Sequence, residues 1–331
     1  MNVEPADQVI GVGLIGCGKI GWKRILALPS DCLLVAAFDI SETLARQLVD
    51  SHGGEVCSSV ESLLRRSDID AVVIATTHDS LADLSILAIE HKKHVLVEKP
   101  GGRTLEEIRQ IQTSADHHKI QVSIGFNHRF HPAVTAAKSL IDSGEFGRLM
   151  WVRGRYGHGG RIGYEKEWRA NKHVSGGGEL LDQGSHLIDL ATYLFGSLRL
   201  EFSRLTTEYW DMEVEDNAFL VLAAENDATI WLHASWTEWK NLFSFEIALE
   251  HAKIEIAGLG GSYGTETLTV HKMRAEMGIP ETQCEVYAGV DESWHLEFTD
   301  FIRRIKGRGS LGASLESTMA VHEIMAMAYA Q

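Results

Sequence analysis

Gly16-Cys17-Gly18-Lys19-Ile20-Gly21 has the spacing G-x-G-x-x-G. Glycines so spaced permit a tight turn, the close approach of a pyrophosphate, and close packing of a helix on a strand. A glycine turn alone is common. Here an apolar run precedes it, a helical pattern follows it, and Asp39 comes about 18 residues after Gly21. An acid at that place accepts hydrogen bonds from ribose hydroxyls and repels a 2′-phosphate. With only Ile40 and Ser41 next to it, and no arginine, the pattern favours NAD over NADP. Gly16, Gly18, Lys19, Ile20, Gly21 and Asp39 are therefore the expected cofactor residues.

Two further stretches carry titratable groups. Lys99, in Glu98-Lys99-Pro100, follows an apolar run of strand length, where open α/β sheets place their ligands. The run Gly176-Gly177-Gly178-Glu179-Leu180-Leu181-Asp182-Gln183-Gly184-Ser185-His186-Leu187-Ile188-Asp189 feeds a helical pattern. Its apolar positions 180, 181, 187, 188, 191, 194 and 195 form one face, with Asp182, His186, Asp189 and Tyr193 on the other. Spacing of i,i+4 stacks Asp182 and His186 as an acid–base pair, although plain solvent exposure would explain a polar face as well.

The elements that must position these groups alternate regularly. Strands are expected at Val9 to Ile15, Leu33 to Phe38, near Val56, and at Ala71 to Ala75, His94 to Glu98 and Gln121 to Phe126. Helices are expected at Ile20 to Leu28, Glu42 to Asp50, Val60 to Arg66 and Leu81 to His91. Such alternation implies a parallel, doubly wound sheet. Beyond it, a helix near Ala133 to Ser143 leads to strands at Leu149 to Tyr156, Ala218 to Ala224, Thr229 to Trp236 and Phe243 to Leu249. Helices at Ser293 to Lys306 and Leu315 to Tyr329 close the chain. The expected fold is α/β, with a dinucleotide-binding domain over 1–126 and a second domain over 127–331 whose open sheet is largely antiparallel.

Composition narrows the partners. A formal net charge of −15 at pH 7 opposes nucleic acid and anionic membrane surfaces. No apolar run reaches the roughly 18 to 20 residues of a membrane helix, and Met1 to Gln8 is acidic rather than basic-then-apolar, so the cytoplasm is the expected location. Cys17, Cys32, Cys57 and Cys284 are scattered and read as reduced thiols. Sixteen histidines show no paired metal spacing such as H-E-x-x-H, and no metal is expected.

The glycine turn, Glu98-Lys99-Pro100, Gly125-Phe126-Asn127-His128-Arg129-Phe130 and the run from Gly176 to Asp189, in that order, resemble the Gfo/Idh/MocA oxidoreductases. That family is named for glucose-fructose oxidoreductase, inositol dehydrogenase and a rhizopine-catabolism protein. The resemblance implies a Rossmann domain followed by an α/β domain whose open sheet joins a homodimer or homotetramer. It implies Lys99, Asp182 and His186 as catalytic residues. Thr76, Thr77, His78, Glu98, Lys99 and Asn127 are implied as further cofactor contacts, although Thr76-Thr77-His78 departs from the Thr-Pro-Asn of many members. The implied activity is NAD(P)-dependent hydride transfer from a ring carbinol carbon of a sugar or cyclitol. The family also contains NAD-retaining lyases or glycosidases and a non-catalytic sensor.

For the substrate, the stretch from Arg148 to Lys172 is basic within an acidic chain, holding Arg153, Arg155, Arg161, Lys166 and Arg169. Trp151, Tyr156 and Trp168 are interleaved, so an anionic sugar such as a nucleotide-sugar fits, with a surface or interface role for the charges as the alternative. Lys99, Arg129, Arg155, Tyr156, Arg161, Trp168, Arg169, Asp182 and His186 are the expected substrate contacts. His158 lies in a glycine-rich loop, and Trp231 to Trp239 alternates as a strand suited to packing or an interface.

Overall fold

A computed structural model describes residues 9–331, and the acidic start Met1 to Gln8 lies outside the described residues. The chain forms two compact units. One comprises residues up to Phe126 with Trp294–Thr318, the other Asn127–Ser293 with Met319–Gln331. The return of Trp294–Thr318 to the first unit is not announced by the strand–helix alternation.

In the first unit, β1 (Ile10–Ile15), α1 (Lys19–Leu26), β2 (Cys32–Phe38), α2 (Glu42–His52), β3 (Glu55–Val56), α3 (Val60–Leu64), β4 (Ala71–Ile74), α4 (His78–Glu90), β5 (His94–Glu98), α5 (Leu105–His118) and β6 (Val122–Gly125) follow in turn. The six strands are parallel, in the order β3-β2-β1-β4-β5-β6. Strands β1, β4 and β6 are buried along their whole length, which is why they read as continuous apolar runs. α5 occupies a stretch with no element expected. Its signals are Thr104, whose hydroxyl accepts from Glu107 N–H at 3.2 Å, and the buried spacing Ile108, Ile111, Ala115. α4 begins at His78, not Leu81, so the Thr76-Thr77-His78 segment is the entry to a helix.

The second unit begins with a 3-10 turn at Asn127–Phe130 and continues through α6 (Pro132–Asp142), β7 (Leu149–Gly157), α7 (Lys172–Ser175), a π-helical turn at Leu180–Gly184 and α8 (Ser185–Phe195). The strands β8 (Leu198–Thr206), β9 (Asn217–Ala224), β10 (Thr229–Ser235), β11 (Leu242–Leu249), β12 (Ala252–Ala257), β13 (Glu266–Lys272) and β14 (Glu281–Tyr287) complete it. The eight-stranded sheet has the order β14-β13-β12-β11-β7-β10-β9-β8. Every pair is antiparallel except β7 with β10. One face carries the buried residues Val152, Gly154 and Tyr156 of β7, and the other carries Trp151, Arg153 and Arg155. The tryptophan-rich stretch is strand only to Ser235; Trp236 to Trp239 is loop. Helices α9 (Ser293–Ile305) and α10 (Leu315–Ala330) follow. Phe298, Phe301 and Ile302 of α9 complete the core of the first unit with Val12, Leu14 and Leu96.

Candidate functional site

In the first unit the glycine turn joins the carboxyl end of β1 to the N-terminus of α1. Gly16 has φ +95°, and a Cβ there would lie 2.5 Å from Ala75 O. A Cβ at Gly21 would collide with Gly16 O, so helix and turn touch backbone to backbone. A Cβ at Gly18 would meet nothing within 4 Å. The space over the helix N-terminus is open there, as a pyrophosphate cradle requires. Lys19 and Ile20 form the first turn of α1. Asp39, just past β2, braces the cradle: Oδ2 accepts from Cys17 N–H at 2.7 Å and Oδ1 from Ser41 N–H at 2.8 Å. A carboxylate has lone pairs to spare for two ribose hydroxyls. Burial, aided by the charge of Asp39, pushes the Cys17 thiol up to about 12 and leaves it inert. These residues fit a dinucleotide.

Thr76, Thr77 and His78 stand at the entry to α4, where the Thr77 hydroxyl donates to Asp79 at 2.6 Å and His78 is buried. Glu98 ends β5, and the Lys99–Pro100 peptide that follows is cis. The Glu98 carboxylate is engaged by the protein itself. Arg24 of α1, with no exposed surface, donates Nε–H to Glu98 Oε1 at 2.5 Å and Nη1–H to Glu297 of α9, and lies 4.5 Å over the Trp294 ring. Burial opposes its charge, but the two carboxylates hold Arg24 protonated well above even its ordinary range. Gly125, paired with Glu98 across the sheet, makes this possible, since a Cβ there would lie 2.5 Å from Arg24 Nη2. The strand end that carries Lys99 is thus clamped by a buried cation.

In the second unit Asp182 lies within the π-helical turn and His186 in the first turn of α8. The wider π turn replaces the simple i,i+4 stacking expected from the sequence, and the polar side is not solvated. Asp182 is 9% exposed, His186 6%, and Asp189 fully buried. Asp182 Oδ2 accepts from Arg169 Nε–H at 3.2 Å, and the Arg169 guanidinium lies 4.4 Å over Trp168. His186 stacks on His128, with ring centroids 3.8 Å apart and planes 31° apart. Tyr156 meets both rings edge-on, at 5.2 Å from His128 and 6.1 Å from His186. Tyr156 also packs against Tyr263, which accepts from Gln183 Nε2–H at 3.0 Å. Burial first, then the neighbouring Tyr263, Asp182 and Glu179, raise the Tyr156 phenol well above its ordinary range, so it keeps its proton at neutral pH.

The glycine run has a steric cause. A Cβ at Gly178 would collide with Glu215 O, and one at Gly177 with the Tyr329 hydroxyl. The buried Glu215 carboxylate accepts from Gly178 N–H and Leu180 N–H at 3.0 Å each and from Tyr329 O–H at 2.8 Å. It fixes the entry to the π turn.

Three expected contacts are placed differently. Arg155 lies on the opposite face of β7 from Tyr156, because neighbouring strand residues point to opposite sides, so it does not join the Tyr156–His186 cluster. Arg129 is buried in an ion pair with Asp189, at 2.9 Å from Nε to Oδ2 and 2.5 Å from Nη2 to Oδ1. Arg161 is solvent-facing, paired with Glu167 at 2.6 Å. Asn127 donates to Ser293 Oγ at 2.8 Å. His128, Gln183, Tyr263 and Glu215 were not singled out from sequence. His128 and Gln183 sit inside quoted motifs, whereas Tyr263 and Glu215 carry no local signal. Among the described residues, no group of three or more histidine, cysteine, aspartate or glutamate residues could hold a metal, and no helix is long and apolar enough to cross a membrane.

Comparison with known proteins agrees with this geometry. Residues 10–126 match the family described as an oxidoreductase family with NAD-binding Rossmann fold, and residues 134–262 match the GFO/IDH/MocA C-terminal domain. Levoglucosan dehydrogenase of Pseudarthrobacter phenanthrenivorans is 33% identical over 213 residues, which cover 60% of this chain and 55% of that protein. D-glucoside 3-dehydrogenase of Escherichia coli is 24% identical over 99% of this chain and 97% of its own length. The chain spans about half the length of the first curated relatives it matches. Among solved structures, levoglucosan dehydrogenase in complex with NADH and levoglucosan has a TM-score of 0.85 and 25% identity, covering 97% of each chain.

Proposed function

The chain belongs to the GFO/IDH/MocA oxidoreductases, with an NAD-binding Rossmann domain, and we propose that it is an NAD-dependent dehydrogenase of a sugar or cyclitol. The observation that carries this reading is the cluster of Asp182, His186, His128 and Tyr156, an acid–base set in which each side chain is less than one-tenth exposed. Bound NAD supplies the hydride acceptor. His186 takes the hydroxyl proton of the substrate. Asp182, steadied by Arg169, accepts hydrogen bonds from neighbouring hydroxyls. Lys99 orients and polarises the reacting oxygen from its clamped strand end. Such positioned groups contribute roughly 10²- to 10⁴-fold each.

A neutral polyol suits the second unit better than the anionic sugar expected from its basic stretch. Arg153 pairs with Glu246, Arg161 with Glu167, and Arg169 with Asp182. Three of the arginines that would have received a phosphate are already balanced by carboxylates. We also assign a homo-oligomer contact to the sheet face bearing Trp151 and Phe202, whose rings are exposed; molar mass by light scattering tests it.

The decisive variants are Lys99→Ala and His186→Asn. Each is expected to lower kcat for sugar-dependent NAD reduction by 10²-fold or more while the Kd for NAD stays within about threefold. Full turnover in Lys99→Ala would overturn the assignment.

A further inference from the structure

We propose that Tyr263 is a substrate-binding residue whose hydroxyl donates a hydrogen bond to one oxygen of the sugar or cyclitol, as the donor counterpart of the acceptor Asp182. This rests on the dehydrogenase reading above and adds a residue to the same site.

The count of donors and acceptors leads there. A phenol has one O–H to give and two lone pairs to receive. At Tyr263 both lone pairs are taken. Gln183 Nε2–H donates to its oxygen at 3.0 Å, and the Tyr156 phenol, whose ring centroid lies 5.2 Å away, donates to it as well. The Tyr263 proton is left over, and among the described residues no acceptor takes it. Burial first pushes this phenol up to about 12, so the proton stays on it at neutral pH.

Both groups that donate to Tyr263 belong to the acid–base cluster or adjoin it. Gln183 follows Asp182 in the π turn and is 6% exposed, and Tyr156 meets the His128 and His186 rings edge-on. Tyr263 is only partly buried, and its neighbours Gly261, Ser262 and Gly264 are exposed, so it stands where the cluster meets solvent. The chain is shaped to hold it there. Tyr263 ends the short turn Gly261–Tyr263 between β12 and β13, flanked by Gly260 (φ +75°, ψ 174°) and Gly264 (φ +88°, ψ 167°), a backbone region essentially restricted to glycine. A Cβ on either glycine would meet nothing within 4 Å, so close packing does not explain them. Gly260 N–H closes the turn on Gly264 O at 2.8 Å, and Asn241 Nδ2–H braces it through Ser262 Oγ at 2.7 Å. The chemistry that fits is a polyhydroxylated ring. A hydroxyl both gives and accepts, so it can donate to Asp182 and accept from Tyr263, and an analogue lacking it leaves a donor unpaired.

The test uses Tyr263→Phe, which keeps the ring against Tyr156 and removes only the hydroxyl. The probes are D-glucose, methyl β-D-glucoside and myo-inositol, with the monodeoxy forms of whichever reduces NAD best. In the variant KM should rise roughly fivefold, the scale of one hydrogen bond between neutral groups, with kcat within threefold and the Kd for NAD within twofold of wild type. One monodeoxy form should lose the same factor in kcat/KM in the wild type and lose nothing further in the variant. A rise in KM under threefold overturns the proposal while the dehydrogenase reading stands; a Tyr263 proton spent on a turned Gln183 amide would give that result. An equal loss for the parent and every monodeoxy form marks a structural role and overturns it too. If none of the three probes reduces NAD, the dehydrogenase reading fails for them, and calorimetry of the same probes on NAD-loaded protein decides Tyr263. Weaker binding in the variant sustains the proposal, and equal affinity, or no binding to the wild type, overturns it.

Discussion

Replacing Arg24 with methionine removes the one cation from a buried set that also contains Glu98 and Glu297. All three side chains are at least nine-tenths buried, so neither carboxylate can turn to water. Breaking a buried ion pair from one side costs about 3–5 kcal/mol, because the remaining charge stays desolvated. The chain's escape is to bind a proton. Neutralising a carboxylate of ordinary pKa, about 4.3, costs about 3.7 kcal/mol at pH 7 but only about 1 kcal/mol at pH 5. Arg24→Met should therefore lose about 3–5 kcal/mol at pH 7, and its deficit against the wild type should shrink by 2 kcal/mol or so at pH 5. For a unit of this size the loss corresponds to roughly 10 °C in Tm. Arg24→Lys should rescue little, since an ammonium cannot reach both carboxylates in the planar fork geometry. Arg24→Met/Glu98→Gln/Glu297→Gln should recover more than half. Urea unfolding followed by circular dichroism at the two pH values measures this. A deficit under 1 kcal/mol at pH 7, or one that does not change at pH 5, would refute the reasoning.

Gly21→Ala drives a Cβ into Gly16 O, so NAD binding by calorimetry should weaken at least tenfold; affinity within twofold of wild type would mean that the turn is not the cradle. Asp39→Ser removes both the ribose acceptor and the brace on Cys17 and Ser41, and should shift the ratio of NADP to NAD affinity toward NADP by tenfold or more in fluorescence titrations. His233 is held at about 4, chiefly by burial and then by the charge of Arg155. The folded chain keeps it neutral while the unfolded chain protonates it near 6.5, so the unfolded state binds more protons and stability falls as pH drops from 6.5 to 4. His233→Gln should flatten that slope in urea midpoints measured across the window, and an unchanged slope would show that His233 does not carry it.

The parts legible in the sequence are those whose signals are local. The glycine turn, Asp39, the strand expected at Ala71 to Ala75 and seen at Ala71–Ile74, and the strand end at Glu98 follow from short-range pattern, because a buried parallel strand is an apolar run and a glycine turn needs its glycines within six residues. Asp182 and His186 stand out by type and spacing, but their burial does not, since a π turn and a solvated helix face share one polar pattern. Long-range partners were illegible. Arg24 and Glu297 lie 273 positions apart, and Glu215 reaches the glycine run from 37 positions away. The strands β8, β12, β13 and β14 also went unassigned. β14 is exposed along most of its length and so lacks a marked apolar stripe. Arg155 shows the converse: adjacency to Tyr156 in sequence puts it on the other side of the sheet.

The most direct measurement is absorbance at the reduced-nicotinamide band when purified protein and NAD are mixed with neutral glycosides, free sugars, inositols, sugar phosphates and nucleotide-sugars, wild type beside Lys99→Ala. The account predicts substrate-dependent NADH formation with neutral sugars or cyclitols, lost in the variant although NAD still binds. Silence across the whole panel with NAD bound, or equal rates in the two proteins, would contradict it.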